Sequence, residues 1–156
     1  MKTISQQITE GIEFHTKRYR RAQNFLAYFQ PYSNTYSDTK KLKSLFCEAL
    51  EIKNIVGISV STRPDCFNRE IAELLAGIAR EKVVILEIGI ESVRNSTLKR
   101  INRGHDFACT QKAFKIAFEY SIFTTGHNIT GLPCESRYEI MSDAINQNAL
   151  PMNAVK

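Results

Sequence analysis

Five short apolar runs recur along the chain at nearly even intervals, beginning near residues 24, 55, 83, 122 and 153. Intervals of about 30–40 residues are what a β-strand, a crossover helix and the next parallel strand require. Runs such as Ile55–Val60 (IVGISV) and Val83–Ile90 (VVILEIGI) are nearly continuous in apolar and β-branched residues. Such strands suit a parallel sheet covered on both faces. The expected class is therefore α/β: one domain of 156 residues, four to five βα units, with no linker or composition break to divide it. A closed eight-unit parallel barrel takes about 250 residues. The sheet expected here is open at both edges, and open edges invite pairing with another chain, including oligomerisation.

The segments between the strands read as helices. Ile4, Ile8 and Ile12 recur at helical spacing, which predicts an amphipathic helix over residues 3–22, followed by a strand over 24–30. Asp38 is placed to cap a helix carrying Leu42, Leu45, Phe46, Ala49 and Leu50, and Asn68 to cap one carrying Ile71, Leu74, Leu75 and Ile78. Further helices are expected near 95–101, 106–120 and up to about Asn148, with strands over 122–130 and 153–156. Lys99 and Arg100 suit a helix C-terminus, and Gly104 suits the left-handed position just beyond it.

Composition narrows the function classes. No apolar run approaches the roughly 20 residues of a membrane span, and residues 1–12 have no apolar signal-peptide core. A cytoplasmic protein without a membrane partner is expected. The net charge of +5 and the cluster Lys17, Arg18, Arg20, Arg21 permit an acidic partner such as RNA. The four cysteines, Cys47, Cys66, Cys109 and Cys134, have no CxxC, CxxxC or Cys/His zinc spacing and are expected as reduced thiols, so no metal ligand set is assigned.

In parallel α/β folds ligands bind at the carboxyl ends of the strands. The unusual residues fall there: Gln30–Thr35 after the first strand, Ser61–Cys66 after the second, Gly89–Ser92 after the third, and His127 followed by Gly131–Glu135 after the fourth. Glu87 and Glu91, four residues apart in one strand, share a face. Glu91, near the strand end, can reach a ligand hydroxyl, while Glu87 either joins it or pairs with a Lys or Arg from a neighbouring strand. Arg103 is placed to fold back over the sheet and bind a carboxylate bidentately. His105 reads as a hydrogen-bonded loop residue.

The segments AYFQPYSNTY, VGISVSTRPDC, LEIGIESVRNSTLKRINRGHD and HNITGLPCES, in this order and spacing, resemble the radical S-adenosylmethionine (SAM) superfamily. Within it they resemble the bacterial YhcC-like group, related to the Elongator catalytic subunit and to oxygen-independent coproporphyrinogen oxidase. The resemblance runs from about Arg18 to Lys156. It implies a partial (βα)6-type parallel barrel and a cofactor-binding set: Tyr32, Ser33 and Asn34 at the SAM amino group, Glu91 at the ribose, Arg103 at the SAM carboxylate, His127 at the ribose, and Ile129–Gly131 flanking adenine. Arg63, Asp65 and Glu87 are implied as substrate or supporting residues. Ser61 stands where some relatives have a SAM-contacting Glu, and Cys134 where relatives have the Gly of GLPGE.

In that superfamily a [4Fe–4S] cluster held by CxxxCxxC reduces SAM, giving methionine and a 5′-deoxyadenosyl radical. No CxxxCxxC exists in this sequence, so the resemblance implies residues 1–156 as a single partial core domain, lacking the cluster-binding unit and a C-terminal region. This chain alone is then expected not to ligate the cluster and to be inactive in radical cleavage, and no catalytic residue is assigned. The alternatives are a cluster-free remnant that binds a nucleotide-like ligand or a protein without catalysis, and an unrelated barrel enzyme using Glu87, Glu91 or His127 in acid–base work.

Overall fold

The structure, a computed structural model, describes residues 2–156. The elements follow in the order α1 (Ile4–Arg18), β1 (Phe25–Phe29), α2 (Thr39–Leu50), β2 (Ile55–Thr62), a single 3₁₀ turn (Pro64–Cys66), α3 (Arg69–Ala79), β3 (Val83–Glu91), α4 (Asn95–Arg100), α5 (Phe107–Glu119), β4 (Phe123–Asn128), α6 (Arg137–Gln147) and β5 (Ala154–Val155). The strands form one sheet in the order β1-β2-β3-β4-β5, with every adjacent pair parallel. Each strand is the spatial neighbour of the one before it in sequence, so the loops at the carboxyl ends of the strands line up in chain order. β1 and β5 have one strand partner each and form the open edges.

Helix starts follow from side-chain caps. Asp38 accepts from the Lys41 amide at 2.9 Å and Asn68 from the Ile71 amide at 3.0 Å. Asp106 caps α5 in the same way, and Thr3 and Ser136 form capping boxes with Gln6 and Glu139. α1 stops at Arg18, four residues short of the expected 3–22, because Tyr19 leaves helical geometry (φ −113°, ψ 68°). β1 and β4 are shorter than expected, Phe25–Phe29 rather than 24–30 and Phe123–Asn128 rather than 122–130. The β4 ladder ends where the Ile129 amide turns to the Glu91 carbonyl at 3.1 Å.

Coverage of the sheet is one-sided, contrary to the expectation from its apolar strands. Val84, Leu86, Ile88 and Ile90 alternate in β3 with half-buried or exposed residues, and with Ile58 and Val60 of β2 they meet Phe46, Leu75, Phe114 and Ala117 from the helices. This is the core. The opposite face carries Val83, Ile85, Glu87 and Gly89 of β3 beside Ser59 and Ser61 of β2 and Thr125 and His127 of β4. Val83 on that face is 50% exposed and Phe123 47%.

The two faces predict unequal costs of truncation. Leu86→Ala, at a position with no solvent exposure, is expected to lose about 2–5 kcal/mol. Val83→Ala, on the open face of the same strand, is expected to lose less than about 1 kcal/mol. Urea unfolding of the two variants checks the difference; equal losses would contradict a one-sided core.

Candidate functional site

At the carboxyl ends of β1–β4 the open face deepens into a cavity of about 730 Å³. Its lining includes Tyr32, Ser33, Arg63, Asp65, Glu87, Glu91, Arg103 and His127, drawn from the connections after β1, β2 and β3 and from strands β3 and β4 themselves. Eight of the residues singled out in the sequence therefore meet at one mouth. Asn34, Ile129 and Gly131 lie outside the lining. Asn34 instead donates its side-chain amide to the carbonyls of Phe29 (2.8 Å) and Ser61 (3.1 Å), tying the loop after β1 to the end of β2. Buried Thr35 shares a 2.5 Å hydrogen bond with the Thr62 hydroxyl and donates to the Cys66 carbonyl, also at 2.5 Å. These bonds hold the loop that presents Tyr32, which stands 97% exposed at φ 65°.

The central strand ends in an ion pair. The ladder between β3 and β4 slips between Gly89 and Glu91, so that two steps on β3 match one on β4. Glu91 takes a left-handed φ of 61° there, a conformation that costs a non-glycine residue on the order of 1 kcal/mol. Its carboxylate meets the Arg103 guanidinium at 3.1 Å, and both side chains are largely buried. Arg103 also donates to the Gly89 carbonyl at 3.3 Å. A Cβ at Gly89 would stand 2.6 Å from Arg103 Nη2 and 2.7 Å from Glu91 Oε1. Glycine is required at this position for the pair to close over the strand.

Arg103 reaches the strand because of how α4 ends. The Asn102 amide donates to the Lys99 carbonyl (3.1 Å) and the Arg103 amide to the Leu98 carbonyl (2.9 Å), the paired bonds of a Schellman turn. Asn102, at φ 55°, takes the left-handed position expected for Gly104; Gly104 follows in the same region at φ 83°. A Cβ on Gly104 would lie 3.2 Å from Arg63 Nη2, so the loop presses on the second ion pair of the mouth. There Arg63 forks onto Asp65, with Nε–Oδ1 at 2.9 Å and Nη2–Oδ2 at 2.8 Å. The guanidinium beside it holds the Asp65 carboxyl below its ordinary range against burial. His105 Nδ1 donates to the Asp106 carbonyl (3.2 Å), the hydrogen-bonded loop residue its position suggests.

Below the rim, Glu87 anchors a polar floor. Tyr28 donates its hydroxyl to Glu87 at 2.6 Å and Ser61 at 3.0 Å, and Lys156 lies 3.4 Å from the same oxygen. Sequence reasoning left Glu87 open between a ligand role and a Lys or Arg partner. The structure supplies Lys156, which follows edge strand β5, and adds Tyr28, which strand alternation alone could have placed on this face. Burial pushes the Glu87 carboxyl up, but the Tyr28 and Ser61 hydroxyls and the Lys156 ammonium together hold it below its ordinary value. A carboxyl depressed in the fold stabilises it above the unfolded-chain value, and that contribution is lost as pH falls through the folded one.

Among the described residues, no group of three or more His, Cys, Asp or Glu is placed to hold a metal ion. Of the four cysteines only Cys66 lines the cavity. Burial, with Asp65 and Asp106 nearby, pushes the Cys109 thiol up, away from the thiolate a metal requires. No described helix is long and apolar enough to cross a membrane.

With this geometry in hand, comparison with known proteins gives consistent matches. The model of the Radical SAM superfamily matches residues 8–144. Protein YhcC of Escherichia coli (strain K12) is 37% identical over 135 residues, covering 86% of this chain and 44% of that protein. Uncharacterized protein MJ0486 of Methanocaldococcus jannaschii is 36% identical over 154 residues, covering 98% of this chain and 47% of that protein. The chain thus spans somewhat under half the length of these relatives. In structure, the archaeal Methanocaldococcus infernus Elp3 with an N-terminal deletion superposes with a TM-score of 0.77 at 16% identity, over 92% of this chain and 38% of that one. At that identity the likeness concerns the fold: a parallel five-stranded part of a βα barrel.

The polar floor carries its own prediction. In the double variant Tyr28→Phe/Lys156→Met the Glu87 carboxyl is expected to titrate at higher pH than in the unsubstituted chain. Side-chain carboxyl 13C shifts followed against pH would report it; an unchanged midpoint would contradict the assignment of those two partners.

Proposed function

The chain belongs to the Radical SAM superfamily, and from that premise we propose that residues 1–156 form a single partial core domain that binds SAM at the mouth of the β1–β4 cavity. The observation that carries the proposal is the Glu91–Arg103 pair closed over Gly89. A SAM molecule offers ribose hydroxyls as donors and an α-carboxylate as acceptor. Glu91 takes the hydroxyls and Arg103 the carboxylate, so the two side chains exchange one another for ligand groups of matching charge. Two features of the cavity support the fit. Its volume of about 730 Å³ lies within the range of small-molecule sites. The Arg103 Nε is buried without a hydrogen-bond partner, a donor that a ligand carboxylate would satisfy.

In this reading Tyr32, Ser33 and Asn34 approach the SAM amino group through the backbone of their turn, His127 stands at the ribose, and Ile129 to Gly131 flank adenine. Arg63, Asp65 and Glu87 face the substrate side of the cavity or support the residues that do. The basic balance of the chain admits RNA among its partners, and the open edges of β1 and β5 admit association with further chain. The cytoplasm is the compartment in which such a reduced-thiol protein would work.

When bound with an iron–sulfur cluster, SAM supplies a carbon radical that abstracts hydrogen. The cysteines of this chain do not fit such a cluster: they are dispersed, and one thiol alone lines the cavity. The part proposed for this chain is accordingly to bind and orient SAM and to exclude water. On the same grounds residues 1–156 by themselves act as a binding module rather than as a complete catalyst.

Calorimetry with millimolar SAM tests the binding. The unsubstituted chain is expected to give saturable heat, with affinity about 10-fold or more weaker in Glu91→Ala and in Arg103→Met, as loss of a charged hydrogen bond implies. Gly89→Ala, which forces only side-chain tips to move, is expected to weaken SAM while leaving the unfolding midpoint nearly unchanged. No heat from the unsubstituted chain would overturn the proposal. Anaerobic reconstitution with iron and sulfide is expected to leave residues 1–156 colourless; a brown chromophore would contradict the reading of the cysteines.

A further inference from the structure

The sequence Phe14–Arg21 (FHTKRYRR) leads from the last turn of α1 into β1 and plays no part in the cavity. It enters the amino-terminal end of β1, where the Phe25 amide bonds the Asn54 carbonyl ahead of β2. That is the end of the sheet opposite the mouth. The segment combines two features. First, Lys17, Arg18, Arg20 and Arg21 are all exposed, and none lies within 4.0 Å of a carboxylate among the described residues. The connections that enter β2 and β3 add little charge at this end, since Lys53 is offset by Glu51 and Lys82 by Glu81, with Arg80 left over. Second, three rings stand in a row: Phe14 edge-on to His15 at 5.3 Å, His15 stacked on Tyr19 at 6.1 Å and 25°, and Arg18 over the Tyr19 ring at 5.5 Å. Phe14 is 67% exposed and Tyr19 53%. The cations and rings are thus held together in the folded chain without covering any core.

We propose that this segment is a docking surface for single-stranded nucleic acid. Unpaired cations attract a phosphodiester backbone, and exposed rings offer faces on which unpaired bases stack. The stacked Arg18–Tyr19–His15 arrangement is ordered beforehand, so little side-chain freedom remains to be lost on binding. An anionic membrane surface would use the same cations, but it would also need an aliphatic face. The aliphatic residues of α1, Ile4, Ile8 and Ile12, pack against the core instead, leaving only rings beside the charges. The surface is remote from the SAM site, and its occupation is independent of SAM.

Fluorescence anisotropy of a labelled 12-nucleotide single strand, as RNA and as DNA, tests this on the chain without SAM. Four phosphate contacts imply that log affinity falls with log salt at a slope of about −3. Arg20→Glu/Arg21→Glu is expected to lower affinity at least about 10-fold and to flatten that slope by about 1.4, two contacts' share. Tyr19→Ala is expected to weaken binding about 5- to 100-fold at an unchanged slope, the mark of stacking rather than charge. Phe14→Ala provides a second aromatic variant should Tyr19→Ala unfold. RNA held more tightly than DNA of the same sequence assigns the strand as RNA, and the reverse as DNA. No binding at about 50 mM salt, binding indifferent to both aromatic variants, or tighter binding to phosphatidylserine vesicles than to either strand would overturn the proposal. Each of these readings stands whether or not SAM binds the cavity.

Discussion

The end of β3 carries the site, and it is held by one ion pair against a strained backbone. Glu91 sits at φ 61° immediately after a slip in the parallel ladder. That conformation persists because its neighbours determine it: the Glu91 carbonyl accepts the Ile129 amide, the Ser92 amide turns back to the Ile90 carbonyl at 2.8 Å, and Arg103 holds the carboxylate. Strain of this kind concentrates where a side chain must be aimed rather than merely packed. Here it aims the carboxylate along the open face, toward the mouth, with its guanidinium partner lying over Gly89, the one position of β3 that has no side chain.

The scaffold makes that arrangement rigid. Strict alternation in β3 puts Leu86, Ile88 and Ile90 into the helical layer with no exposure, while Glu87, Gly89 and Glu91 are left for the cavity. Arg103 comes from a different element, but the Schellman turn that closes α4 fixes where its backbone emerges. The floor beneath is a second, chemically separate layer: Glu87 bonded by Tyr28 and Ser61 across three strands and neutralised by Lys156, which follows β5. Mouth-facing and floor-facing carboxylates thus sit four residues apart on one strand with different partners, Glu91 with Arg103 and Glu87 with hydroxyls and an ammonium.

Much of this was legible in the sequence for reasons that can be named. Spacing of apolar runs located all five strands, because a βα unit has a narrow range of lengths. Asp38 and Asn68 announced helix starts, because few side chains can satisfy the orphan amides there. Three of the four polar strand-end clusters line the mouth, and the fourth contributes only His127 of its strand. The misses have a common origin in backbone geometry. Tyr32, Glu91, Asn102 and Cys134 all adopt positive φ, yet only Asn is a residue type that signals it, so the expected left-handed position fell on Gly104 instead. Asn34 has a second task that its sequence position does not announce: its side-chain amide closes the loop onto Phe29 and Ser61. The partnership of Tyr28 and Lys156, 128 residues apart, depends on which strands become neighbours and has no local signature. One-sided coverage was hidden for a related reason: Val83 and Phe123 read as core residues, although helices pack on the other face.

The central claim is that Glu91 and Arg103 exchange each other for SAM. Amide and arginine Nε resonances of the 15N-labelled chain, followed as SAM is added, test it most directly. The account predicts saturable shifts at the Arg103 side-chain Nε, at Gly89 and Glu91, and at His127, with the strand starts around Asn54 and Ser121 unmoved. Shifts confined to those strand starts, or an Arg103 Nε resonance that stays in place while others saturate, would contradict it.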